Sequence, residues 1–216
     1  MRGAERQGNE GATLRIGAVC AILGAAVSVA AGTGFDNRTT TWETERLLRY
    51  LATQPSWYWP LVHLGFICGA LLWVGAFAVI AGALPEGISG ALGRLAMASI
   101  VIGATIHVVD SSVDGVGLSA IARSWAAASA GEQANLLRIG GALIEVLHGT
   151  WASVLTLFHG LPFVLLGMAV IASRQYPAWL GWVGVVGGLG SLVVGAMMFL
   201  GAGFVPPRLF IAFAMS

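Results

Sequence analysis

Residues 57–84 read WYWPLVHLGFICGALLWVGAFAVIAGAL, a run without a single Asp, Glu, Lys or Arg. About 20 apolar helical residues cross a bilayer core about 30 Å thick, so this stretch spans a membrane as a helix. Trp57, Tyr58 and Trp59 form an interfacial aromatic anchor. Pro60 fits the first turn, where its missing N–H costs nothing. The one ionisable residue inside is His63, about 9 Å along the helix from Trp57.

Four further stretches have the same character, giving spans at about 13–31, 57–84, 91–109, 141–172 and 178–203. Of the 216 residues, 57% are hydrophobic and 10% charged, against about 25% charged in soluble domains. So few charges cannot cover a water-soluble surface. The expected fold is therefore all-α, a single integral-membrane domain over 1–216 with five full spans in a polytopic helix bundle. After Pro206-Pro207, the tail LFIAFAMS is too short to cross; it is either the start of a truncated sixth span or an interfacial segment.

Two polar connectors have helical periodicity, TWETERLLRYLATQ (41–54) and VGLSAIARSWAAAS (116–129). In the first, Trp42, Leu47, Leu48 and Leu51 share a side; in the second, Ile121 and Trp125 do. Both read as short interfacial helices on the outer side, the second separated from span 3 by the polar stretch DSSVDG, in which Asp114-Gly115 suits a turn. Gly131 would end the second, and span 4 would run from near Glu132 to Ser173. At helical rise that is roughly 60 Å, twice the bilayer core. It must project, tilt, or break at Gly140-Gly141 or at Gly160-Leu161-Pro162, where Pro162 removes a backbone donor.

Charge and cysteine content exclude several classes. The net charge is +1 with no basic tract, so nucleic acid is not an expected partner. Cys20 and Cys68 lie inside apolar segments without Cys-x-x-Cys spacing and read as small hydrophobes. Every basic residue is arginine and Gly and Ala abound, a composition suggesting a bacterial inner-membrane protein. Short connectors on one side favour a cytoplasmic N-terminus. Ser28-Val29-Ala30 leaves a cleaved leader as the alternative to a retained first span. Gly184-x-x-x-Gly188 in glycine-rich span 5 permits close helix packing, including a homo-oligomer.

The ionisable residues within the spans carry the chemistry. His107 and Asp110 are three apart, as are Glu145 and His148, so each pair shares a helical face. Asp114 follows one turn after Asp110. With His63, these groups lie on three spans near one membrane side. Such residues are costly in a bilayer and mark function unless end-of-helix water satisfies them. Glu-x-x-His is a metal-binding spacing in helical bundles. The expected metal set is His63, His107, His148, Glu145 and Asp110 holding Zn, Fe or Mn. Glu145, Asp110 or Asp114 would then act as catalytic acid or base. His159, beside Pro162, is expected to bond a freed carbonyl or to extend a polar stripe inward. Trp73 and Trp151 lie deeper, as core or as the wall of a lipophilic pocket.

Residues 160–194 contain Leu161-Pro162, Leu166-Gly167 and SRQYPAWLGWVG (173–184). This stretch resembles a family of uncharacterised bacterial multi-pass membrane proteins. The resemblance implies a bundle of six or seven helices and assigns no catalytic residue.

Four functions fit these residues. The first is a metal-dependent enzyme acting on a lipophilic substrate in the lipid bilayer. The second is a metal-free cyclase or isomerase using Asp or Glu as general acid. The third is an electron-transfer subunit with haem held by two of His63, His107 and His148. The fourth is a non-enzymatic subunit or small transporter. No P-loop, dinucleotide fingerprint or Gly-x-Ser-x-Gly is present.

Overall fold

A computed structural model describes residues 2–36, 39 and 43–201, with side chains from residue 11 onward. The tail at 206–216, Trp42 and the arginines at 38 and 208 lie outside the described residues. Among the described residues there are helices and no strands. They are α1 (Arg2–Gly34), α2 (Thr44–Thr53), α3 (Tyr58–Ala83), α4 (Ile88–Ser112), α5 (Ser119–Ala127), α6 (Ala130–Val154), α7 (Leu161–Ser173) and α8 (Ala178–Phe199). Two π-helical turns, Val113–Leu118 and Leu155–Gly160, join α4 to α5 and α6 to α7.

Five helical rods are long and apolar enough to cross a membrane: Gly11–Gly34, Tyr58–Ala83, Ile88–Ala127, Ala130–Ser173 and Ala178–Phe199. The chain is a multi-pass membrane protein of the all-α class. Small residues set the helix spacing. In the α1–α3 seam Gly65 faces Ala31, and Gly24 faces Leu72. In the α7–α8 seam Gly188 lies against the Gly160 carbonyl and Val164, and Gly184 against the Phe163 carbonyl. The Gly184-x-x-x-Gly188 face is thus occupied by α7 of the same chain. Cys68 is exposed on α3, where lipid would cover it.

Two features differ from the sequence reading. Span 3 does not end at Val109 but runs through DSSVDG as helix. Gly115 has no positive φ, so Asp114-Gly115 forms no turn there. Serine hydroxyls bond back to carbonyls in this stretch, Ser112 to Val108 at 2.7 Å and Ser119 to Gly115 at 2.7 Å. The helix breaks instead at Ala128-Ser129, both extended, where Ser129 and Glu132 form a capping box that starts α6. Gly140-Gly141 is also unbroken. It seats α2, because a Cβ on Gly140 would lie 3.2 Å from Leu48 Cδ1.

The break in the longest rod does fall before Pro162. Leu161 N–H bonds to the Thr156 carbonyl, five residues back. That register leaves the Leu157 carbonyl without its usual donor, and Pro162 has none to offer. Ser99 on α4 supplies it, its hydroxyl donating to Leu157 O at 3.1 Å. Gly103 on α4 allows the approach, since a side chain there would strike the Leu157–Phe158 backbone. His159, the expected partner, is not the residue that does this.

α2, α5 and the first turns of α6 cap one end. Leu47, Leu48, Leu51, Trp59, Leu118, Ala122 and Trp125 form its core. The capped end is where α1 finishes, since the Tyr58 hydroxyl donates to Gly34 O at 2.6 Å.

Candidate functional site

Under this cap α3 meets the first π turn. His63 is 4% exposed, and its ring has an acceptor on each side. Nδ1 lies 2.9 Å from the Trp59 carbonyl, four residues back on α3. Nε2 lies 3.1 Å from Asp114 Oδ2. The other carboxylate oxygen accepts the Trp59 indole N–H at 3.0 Å. Trp59 therefore fixes both partners, one through its backbone and one through its side chain.

The proton count follows from these partners. A carbonyl only accepts, so Nδ1 carries a hydrogen. The bond between Nε2 and Asp114 then contains one further proton, on the ring or on the carboxyl. At 3.1 Å, His63 Nε2 and Asp114 Oδ2 are placed so that one proton can lie between them. Glycine makes the contact: a Cβ at Gly115 would lie 2.6 Å from His63 Cβ. The π turn rotates Asp114 onto this face, in keeping with the enrichment of such turns at functional sites.

Aromatic rings surround the pair. The His63 ring is 4.9 Å from Trp59, 5.9 Å from Phe35 and 5.9 Å from Phe66 between centroids. Asp114 retains 22% side-chain exposure, so the pair is shielded without being sealed.

Asp110 lies one turn before Asp114 and is 8% exposed. Its Oδ1 accepts the hydroxyl of Thr150 on α6. His107, 5% exposed, stacks on Phe158 at 5.4 Å and 12°. Trp151 and His159 flank it at 6.1 and 6.4 Å, and its Nδ1 has no hydrogen-bond partner among the described residues. Trp73 pairs with Phe163 further along.

Glu145 and His148 stand apart from these groups. Their side chains are 81% and 36% exposed, with 3.9 Å between carboxylate and ring. The cause is angular. Thr150 defines the face of α6 toward Asp110, and His148 is about 200° and Glu145 about 140° around from it at 3.6 residues per turn. The face running from His148 through Ala152 and Thr156 turns toward α8, where Ala152 and Thr156 lie against Gly195.

The metal set named from sequence does not assemble. Among the described residues, no three His, Cys, Asp or Glu side chains form a group that could hold a metal ion. Haem held through His63 fits no better, because either ring nitrogen would ligate iron only by giving up Trp59 or Asp114. The residues that sequence reasoning missed are Thr150, and Trp59 as more than an anchor. Trp59 had a signal, since it lies four residues before His63 and shares its face. Thr150 had none beyond being a hydroxyl in a span.

Comparison with protein-family models, with curated proteins and with solved structures gives no match for this chain.

Proposed function

We propose that this membrane protein is a metal-free acid–base catalyst acting on an unsaturated lipophilic molecule, with the His63–Asp114 pair as proton donor. One observation carries the reading: an imidazole is fixed between a carbonyl and a carboxylate, beside aromatic faces, in a membrane bundle. General acid catalysis needs a positioned proton, and a site of low dielectric makes its charges effective. The proton adds to one carbon of a C=C bond, whose π electrons form the new C–H bond. The neighbouring carbon becomes cationic, and the faces of Trp59, Phe35 and Phe66 are suited to a cation. Loss of a proton from an adjacent carbon then gives the isomerised or cyclised product. On this reading the protein sits in a bacterial inner membrane with its N-terminus inside and the capped site outside.

Solvent deuterium tests the proposal. Liposomes with the purified protein and a polyprenol are incubated in D2O, and the lipid is analysed by mass spectrometry. Wild-type protein is expected to place deuterium on carbon, and Asp114→Asn and His63→Gln to lose that labelling. Unlabelled polyprenol and unlabelled unsaturated phospholipid with wild-type protein would end the enzymatic reading.

A second reading, a small proton-coupled transporter, is favoured by the continuation of imidazoles inward through His107 and His159. It predicts proton flux across sealed proteoliposomes that His107→Phe abolishes, with no label on carbon.

A further inference from the structure

Protonating an alkene is half of an isomerisation; a second group must remove a proton from a different carbon. Asp110 sits one turn from Asp114 and so lies about 6 Å away along the axis at helical rise, a separation of a few carbon–carbon bonds. Its Oδ1 is taken by the Thr150 hydroxyl, while no described residue hydrogen-bonds Oδ2. One lobe of the carboxylate is clamped and the other is left to act.

The clamp is itself anchored. Thr150 Oγ1 lies 3.1 Å from the Leu147 carbonyl and 3.2 Å from the Val146 carbonyl, both on its own helix. Its single hydrogen is thus held among three acceptors, so the side chain stays in one rotamer over the preceding turn. Fixing that rotamer fixes Asp110 across the α4–α6 seam. A carboxylate on a rigid helix, held by one oxygen, keeps a constant direction, which proton abstraction at a chosen carbon requires.

We infer that Asp110 is the catalytic base of the same site, and that Thr150 is the positioning residue that aims it. The inference rests on the acid–base reading above and divides its two proton transfers between two carboxylates. Asp114 with His63 gives a proton to carbon, and Asp110 takes one from a neighbouring carbon. The C–H electron pair becomes the new C=C bond, so the net change is movement of the double bond, with no oxidant or reductant.

The division has a readout that a merely structural role does not produce. With Asp110 misdirected, the cation formed by deuteron transfer collapses back to the original alkene by losing to the donor a hydrogen already on the protonated carbon, and the deuterium stays behind. The substrate then exchanges hydrogen for deuterium in D2O but is not isomerised. In the same polyprenol liposomes, label and double-bond position are measured separately on each variant. Thr150→Val and Asp110→Asn are expected to retain deuterium labelling within a few-fold of wild type and to lose isomerised product by tenfold or more. Thr150→Ser, which keeps the hydroxyl, is expected to restore the isomerised product, with labelling as in the wild type. Thr150→Ala provides a second hydroxyl-free variant should the valine protein not fold. Label and product falling in parallel in the hydroxyl-free variants, or neither falling, would overturn the assignment. Absence of both from wild-type protein refutes the underlying acid–base reading and takes this inference with it.

Discussion

Gly115→Ala probes the structural basis of the His63–Asp114 pair with one added methyl group. The new Cβ would lie 2.6 Å from His63 Cβ and 2.9 Å from Cγ, where ordinary contact is 3.4–4 Å. The two atoms must separate by about 1 Å, and neither is the free end of a flexible chain. Cβ and Cγ of His63 are tied to α3, so the ring must move. A shift of that size takes Nε2 from 3.1 Å to beyond hydrogen-bonding distance of Asp114. Overpacking of this kind costs about 1–3 kcal/mol, while alanine gains about 1 kcal/mol over glycine in a helix. The net loss is thus about 0–2 kcal/mol. Gly117→Ala, in the same π turn, supplies the control. Its Cβ meets nothing closer than 3.9 Å, so only the propensity gain remains. The two alanine variants should differ by about 1–3 kcal/mol in reversible unfolding in detergent, with Gly117→Ala the more stable. Only Gly115→Ala should lose labelling from D2O. Equal stabilities together with unaltered labelling would refute the packing argument.

Other perturbations separate the remaining claims. Ser99→Ala strands the Leu157 carbonyl and should cost about 1–2 kcal/mol by the same unfolding measurement. Gly188→Val drives a branched side chain against the Gly160 carbonyl, 2.7 Å from the added Cβ, and should disrupt the α7–α8 seam by more than about 3 kcal/mol, seen as aggregation on size-exclusion chromatography. Glu145→Gln, at an exposed residue, and His148→Gln, at a half-buried one, both turned from the site, should leave labelling unchanged; a loss in either would return Glu-x-x-His to the centre of the chemistry. Chelation should also leave labelling intact, whereas loss with EDTA and recovery with zinc would reinstate the metal reading.

The spans were legible because hydrophobic length is a one-dimensional property. Residues 57–84 needed only counting, and the break before Pro162 followed from a missing N–H. Membership of the site was less legible because it depends on helix rotation, which the partner helix decides. His107 and Asp110 pointed inward as their spacing suggested, over a face of Ala96, Ser99 and Gly103. Glu145 and His148 had the same three-residue spacing, but α6 turned Thr150 toward α4 instead. The π turn at Val113–Leu118 was hidden for a related reason. Asp114-Gly115 has the composition of a turn, and only its partners on α3, Trp59 and His63, show why it remains helical. Such rules fail where tertiary contacts override local preference, and here that place is the site itself.

The hydrogen bond between His63 and Asp114 is accessible to histidine-selective 15N NMR of the protein in nanodiscs. In the wild type, one imidazole should carry hydrogen on Nδ1 and be coupled at Nε2 to a carboxyl group. In Asp114→Asn the same ring should become a neutral Nδ1–H tautomer, with the other histidine signals in place. A wild-type spectrum in which the Asp114→Asn substitution changes no histidine signal would contradict the account.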